Sequence, residues 1–272
     1  MKKPRKLLAA VALTAVLAAI YCNFSLETED WTVSSPRLPE AFSGLRVLLL
    51  TDLHGASFGP ENRQLLEAAA ESRPDLIAIC GDLADKLTDR ATLPPLLRGL
   101  AAIAPTYYVT GNHEWSREDA EDLLVQIADC GVTVLRGDYV LLEREGQTMV
   151  LAGIEDPIAY ADQVTPARLM EQIRREVPGD PYVLMLCHRN NTLELWSGLE
   201  ADTVLAGHGH GGVIRLPFVG GLLSVDRTFF PKDCEGLYTK GRTTLAVSRG
   251  LGWPRLWNRP HLPTVVLVRE ES

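Results

Sequence analysis

Five short apolar runs in this chain each break into a cluster of Asp, Asn, Gly or His, and that repetition restricts the fold more than any other feature of the sequence. Val47-Leu48-Leu49-Leu50-Thr51 is followed by Asp52-Leu53-His54-Gly55, and Leu76-Ile77-Ala78-Ile79-Cys80 by Gly81-Asp82-Leu83-Ala84-Asp85. Tyr107-Tyr108-Val109 leads to Gly111-Asn112-His113-Glu114. Residues 182–186 lead to Cys187-His188, and 202–205 to Gly207-His208-Gly209-His210. Runs without polar alternation are strands covered on both faces, as in parallel sheets made of βαβ units. The first spacers read as helices, at about 62–72 before Pro74 and about 96–103 before Pro105. Ser116 is expected to cap a helix to about residue 130, with Asp119 in the capping-box position. The second half differs. Val140-Leu141-Leu142 and Thr148-Met149-Val150-Leu151 flank Glu145-Gly146 as a hairpin. Thr165-Pro166 opens a helix to about residue 176, and the chain is β-rich from Val213 onward. The expected class is α/β, and no fixed-period repeat is present.

Five of the six histidines (His54, His113, His188, His208 and His210) follow one of these runs; His261, between Pro260 and Leu262, is given no role. Ligands bind open α/β sheets at the carboxyl ends of the strands, so the five clusters converge on one edge. Singly, each has a plain structural explanation. A lone His after a strand is more often hydrogen-bonded than ligating, Asp82-x-x-Asp85 serves as a cap, and Asn112 suits a turn. Together they point to metal. Imidazole with carboxylate suits Mn, Fe or Zn, whereas an all-oxygen set suits Mg or Ca. A carboxylate can bridge two cations ~3.5–4 Å apart, the spacing of phosphoester-cleaving sites. One His is then left to protonate a leaving alkoxide.

Taken in order, Thr-Asp52-Leu-His54, Gly81-Asp82-Leu-Ala-Asp85, Gly111-Asn112-His113-Glu114, Cys-His188 and Gly207-His208-Gly-His210-Gly-Gly resemble the calcineurin-like metallophosphoesterase family, from about Leu45 to the C-terminus. The resemblance implies two mixed β-sheets packed as a sandwich flanked by helices, and a binuclear phosphohydrolase that cleaves a phosphodiester, phosphomonoester or pyrophosphate by attack of a metal-activated water. It implies that Asp52, His54 and His210 hold one divalent ion, that Asn112, His188 and His208 hold the other, and that Asp82 bridges both. His113 would be the proton donor, with Asp85 and Glu114 orienting ligands from behind. Gly209 stands where the family often has Thr or Ser. Arg189-Asn190 follows His188 where a Pro is often found nearby, and Arg189 is a candidate for binding substrate phosphate. Residues 211–217 and 249–252 further resemble a membrane-associated bacterial branch, some members of which hydrolyse the pyrophosphate of UDP-diacylglucosamine. A catalytically inactive metal-binding scaffold, or a membrane-tethered protein that binds phosphoryl ligands without turnover, is the alternative.

Composition excludes other classes. The chain has 272 residues, is 46% hydrophobic and carries a formal charge of -8. Lys2, Lys3, Arg5 and Lys6 account for four of its 27 basic residues, against 35 acidic ones. A body this acidic, with no basic stripe, would repel nucleic acid, and no protein partner is inferred. Those four cations precede an apolar run at 7–21, and acidic residues follow it. This predicts a single-pass anchor with the rest of the chain extracytoplasmic, or alternatively a cleaved signal and secretion. The division expected is 1–22 as anchor or signal segment, 23–44 as linker and leading strand, and 45–272 as catalytic domain. The five Cys do not form a disulfide framework by spacing. Leu216-Pro217-Phe218-Val219-Gly220-Gly221-Leu222-Leu223, Phe229-Phe230, Trp253 and Trp257 are candidates for core packing or for contact with acyl chains.

Overall fold

A computed structural model describes residues 13–14, 16–18, 20–23, 25–216, 219–225, 227–253 and 255–271. Its first sheet contains β1 (Glu27–Ser35), β2 (Leu45–Leu50), β3 (Leu76–Cys80), β4 (Thr106–Val109), β5 (Thr133–Val134) and β14 (His261–Arg269), in the order β1-β14-β2-β3-β4-β5. Its second contains β6 (Asp138–Arg144), β7 (Gln147–Gly153), β8 (Val183–Leu186), β9 (Thr203–Ala206), β12 (Gly236–Lys240) and β13 (Thr243–Val247), in the order β12-β13-β9-β8-β7-β6. The strands that lead into the polar clusters pair in parallel, β2 with β3 and β3 with β4, and β7 with β8 and β8 with β9. The pairs β14–β2, β6–β7 and β12–β13 are antiparallel, so both sheets are mixed. A hairpin of β10 (Ile214–Leu216) and β11 (Gly220–Leu223) stands apart from both.

The unbroken apolar strands are explained by what covers them. Side chains alternate across a strand, and both faces of β2 are buried. Val47 and Leu49 join Leu184, Leu186 and Leu205 between the sheets. Leu48 and Leu50 face the other way, onto α1 (Arg63–Glu71), α2 (Leu93–Ile103) and α4 (Ala120–Asp129) through Leu65, Leu96 and Ile127. Val183 and Met185 likewise pack under α5 (Pro166–Glu176) and α6 (Leu193–Gly198). The four layers α/β/β/α follow.

Two local expectations need correction. Ser116 does not cap the helix that ends near residue 130. Residues 112–115 form their own turn of helix, α3 (Asn112–Trp115), and the Ser116 hydroxyl donates to His113 O at 2.7 Å. Asp119 accepts from Arg117 Nε at 2.8 Å instead of completing a capping box. Within residues 23–44, expected as linker and leading strand, β1 pairs with β14 along its whole length.

The N-terminal expectation fails as well. Among the described residues no helix is long and apolar enough to cross a membrane. That overturns the transmembrane helix and signal-anchor, and with them the single-pass placement in the cell membrane. The apolar run is about 15 residues where spanning a bilayer takes ~20. Its end packs on the domain: Arg259 lies over the Tyr21 ring at 5.0 Å, and Asn23 Oδ1 accepts from Trp257 N at 3.1 Å. Residues 1–12, with the basic flank, lie outside the described residues.

Candidate metal centre

The sheets place every polar cluster at one edge of the sandwich. Asp52 and His54 follow β2, Asp82 follows β3, Asn112 and His113 follow β4, His188 and Arg189 follow β8, and His208 and His210 follow β9. Asp52, His54, Asp82, His208 and His210 all have φ between 48 and 66°. Non-glycine residues rarely take this region, and they keep it only where surrounding bonds over-determine the backbone. Such bonds are present. Asp52 N donates to Gly81 O at 3.0 Å, His54 N to Asp82 O at 2.9 Å, and His208 N to Asp52 Oδ2 at 2.9 Å. Two glycines allow the loops to close this far: a Cβ at Gly207 would fall on the Asp52 carboxylate, and one at Gly111 on that of Asp82.

Two triads of ligand-bearing side chains meet around Asp82, Asp52–His54–His210 and Asp82–His188–His208, and a third group, His54–Asp85–His113, lies further out towards the cleft. Asp82 Oδ2 lies between the two triads, 3.2 Å from His188 Nε2 and 3.8 Å from His54 Nε2. His188 Nδ1 is 2.9 Å from Cys80 O and donates to it, which leaves the Nε2 lone pair aimed at the Asp82 carboxylate and at His208 Nδ1, 3.1 Å away. Lone pairs converging in this way suit a cation. Asn112 Oδ1 is buried beside them with no hydrogen-bond partner, which a buried amide oxygen rarely tolerates. The residues present therefore fit divalent ions of the nitrogen-tolerant kind.

The electrostatics agree for three of the four histidines in the triads. Burial lowers the pKa of His54 to about 4, that of His208 to about 3 and that of His210 well below the ordinary value, favouring the neutral imidazole that ligation requires. Burial also opposes charge on His188, but the Asp82 carboxylate outweighs it and raises the group to about 10, so the Nε2 lone pair becomes free only when a cation displaces the proton shared with Asp82. Asp82 is held well below the usual range, because His188, His54 and His113 together overcome its burial. Asp52 is pushed up to about 6 by burial.

The remaining expected residues are less uniform. Glu114 is fully buried, and its carboxylate accepts from Gly111 N at 2.8 Å, Asp82 N at 2.9 Å and Ala84 N at 3.0 Å, tying the β3 and β4 loops together. Burial raises its pKa to about 7. His113 stands outside both triads, its side chain 42% exposed, with Nε2 4.0 Å from Asp82 Oδ2 and its ring edge-on to His54. Asp85 bonds none of the ligands. Its Oδ1 accepts from Thr88 Oγ1 at 3.0 Å and from Leu87 N at 3.2 Å, and it faces the cleft near His54 and His113. Arg189 lies 2.9 Å from His208 Nε2 and forks onto Asp156. Sequence reasoning missed Asp156. Its signal was available: Glu155-Asp156 follows the β7 run just as Asp52 follows β2. It also missed Asn258, which donates from Nδ2 to the His210 carbonyl. Above the triads the cleft holds about 790 Å³ and is walled by Val213, Leu223, Val225, Arg227 and Trp253. Phe218 lies outside the described residues.

Known proteins resemble this chain. Residues 45–212 match the family model described as Calcineurin-like phosphoesterase. The uncharacterized metallophosphoesterase YkuE of Bacillus subtilis (strain 168) is 28% identical over 261 residues, covering 92% of this chain and 88% of that one. Phosphodiesterase YaeI of Escherichia coli (strain K12) is 28% identical over 236 residues, covering 82% of each chain. TT1561 of Thermus thermophilus superposes with a TM-score of 0.50 at 14% identity, over 75% of this chain and 89% of that one, and so shares the fold.

Proposed function

The chain belongs to the calcineurin-like phosphoesterase family and is a metal-dependent phosphoesterase, and on that premise we propose that its cleft hydrolyses a phosphodiester with two ions drawn from Mn, Fe and Zn. The observation that carries the reading is the pair of triads meeting at Asp82 Oδ2, with the partnerless Asn112 Oδ1 beside them.

In this reading Asp52, His54 and His210 hold one ion, and Asn112, His188 and His208 hold the other. Asp82 is shared. Such ions, when bound, neutralise charge on a phosphoryl group and make a nucleophile of water at neutral pH. The chain's own residues supply the rest. Glu114 fixes the backbone of Asp82 and Gly111, so the bridging carboxylate cannot drift. His113, on the solvent side, gives a proton to the leaving oxygen as its bond to phosphorus breaks. Arg189 meets a phosphoryl oxygen. The catalytic domain is taken as 45–272, with β1 added to its first sheet. Leu223, Val225 and Trp253 in the cleft wall favour an ester with an apolar group, and a lipid-linked pyrophosphate of the UDP-diacylglucosamine kind is the second reading they support.

The test is metal analysis joined to a substrate panel of bis-p-nitrophenyl phosphate, p-nitrophenyl phosphate and a pyrophosphate. About two ions per chain and chelator-sensitive turnover of the diester are expected. Full metal loading with no turnover of any substrate would leave a binding scaffold instead.

A further inference from the structure

One buried carboxylate beside the cleft has no part in the scheme above. Asp156 follows β7 at the same sheet edge and is 1% exposed. It holds Arg189 in a fork, Nε to Oδ2 at 2.6 Å and one terminal nitrogen to Oδ1 at 3.1 Å. Asp156 is itself fixed: its N–H donates to Thr110 Oγ1 at 3.2 Å, and Oδ1 also accepts from Ile158 N at 3.1 Å. Two of the three guanidinium nitrogens are thus committed. The third lies 2.9 Å from His208 Nε2.

That last contact conflicts with ligation. The ring nitrogen His208 turns to the triad is Nδ1, 3.1 Å from His188 Nε2. An imidazole that offers Nδ1 as a lone pair carries its proton on Nε2. Guanidinium has donors only, so an N–H would then face an N–H, and the Arg189–His208 hydrogen bond cannot persist. With the other two nitrogens fixed by Asp156, the freed N–H needs an acceptor from the cleft, which Arg189 lines. A phosphoryl oxygen suits it, because a hydrogen bond from a cationic donor to an anionic oxygen is roughly twice as strong as a neutral one.

We propose that Asp156 is a positioning residue that makes Arg189 a phosphoryl-oxygen hook, held to His208 until that histidine serves as a ligand and turned to the substrate afterwards. The proposal rests on the two-ion phosphoesterase reading and adds to it a residue that touches neither ion nor substrate.

The test is calorimetric titration of the Mn-loaded protein with inorganic phosphate, alongside Mn content and steady-state kinetics on bis-p-nitrophenyl phosphate. Arg189→Ala and Asp156→Asn should each weaken phosphate binding by ~10-fold or more, the scale of a charge-assisted hydrogen bond. KM should rise more than kcat falls, and Mn content should not change. Because Asp156 acts through Arg189, the double variant should bind phosphate no worse than Arg189→Ala alone. If Asp156→Asn does not fold, Arg189→Lys carries the test: it keeps the charge but cannot hold the fork, and should show the same loss. Unchanged phosphate affinity in Arg189→Ala, additive losses in the double variant, or lost Mn would each overturn the proposal. A wild-type protein that binds no Mn or turns nothing over would sink the functional reading instead.

Discussion

The floor of the cleft and its outer wall are built on opposite principles. In the floor, Asp52, Asp82, Glu114, His188 and His210 are all buried, and their loops are cross-linked by backbone and carboxylate hydrogen bonds across two sheets. The wall comes from the β10–β11 hairpin and the segments after it, where Trp253 is 53% exposed and Phe229 and Phe230 are 68% and 63% exposed. Strain and polar burial are accepted where donor geometry must be fixed to a fraction of an ångström. Apolar side chains stay in solvent where a substrate has to arrive and leave. The floor should therefore set whether there is chemistry, and the wall which ester receives it.

The largest effect should come from the point where the two triads meet. Asp82→Ala removes the carboxylate shared by both, and no neighbouring group can replace it. Metal content should drop for both ions together. Turnover should fall by roughly 10³-fold or more, since each ion contributes several kcal/mol of transition-state stabilisation. A variant that keeps one ion and substantial activity would show that the triads are independent, and the floor would no longer be one unit. His113→Ala is the next step down. His113 stands outside the triads, so both ions should remain while turnover of a substrate with a poor leaving group falls by ~10²–10⁴. Unchanged turnover of such a substrate would remove His113 from the mechanism.

The same contrast explains what could be read in advance. The floor was legible because a strand end followed by Asp, Asn or His is a local pattern, and five such ends in α/β order leave few places for the side chains to go. Asp156 obeys the same rule with a fainter signal, because a lone acid after a hairpin strand has no histidine beside it. Asp85 shows how little spacing says about partners. Its carboxylate closes a turn with Leu87 and Thr88 and also stands beside His54 and His113, and neither set of neighbours follows from its three-residue distance from Asp82. Asn258 was invisible because a donor to the His210 carbonyl from 48 residues away has no sequence signature. The wall was least legible of all. Apolar residues in Gly- and Pro-rich β segments look alike whether they end in a core or in solvent, and only packing decides. The N-terminal run shows a related limit: its flanking charges match those of a spanning segment, and only its length of about 15 residues tells against one.

A smaller effect is expected behind the floor. Glu114→Gln keeps the shape of the side chain but turns one acceptor oxygen into an NH₂ facing backbone N–H groups that are themselves buried. At least one of the donors from Gly111, Asp82 and Ala84 then loses its partner. The cost should be about 1–3 kcal/mol, the range for an unsatisfied buried donor, read as a lower thermal or denaturant midpoint. Metal affinity should weaken in step, since Asp82 N is one of those donors. A midpoint equal to wild type would mean that the strained Asp82 backbone is held by its other bonds alone.

The smallest effect should come from the wall. Trp253→Ala removes a half-exposed ring that touches the cleft, so the floor should keep both ions and kcat should stay near wild type. An aromatic ring of the substrate stacking on an indole contributes ~0.5–1.5 kcal/mol, which corresponds to a rise in KM of at most ~10-fold. That rise should appear for bis-p-nitrophenyl phosphate and be absent for a diester whose non-leaving group is methyl. The pair of substrates makes the comparison decisive. Equal losses on both would mean that Trp253 acts through the floor, for which a route exists, since the adjacent Gly252 N donates to Asp52 O at 2.5 Å. No loss on either would place substrate contacts elsewhere along the wall, at Leu223 or Val225. Only a loss confined to the aryl ester separates a wall that selects from a floor that reacts.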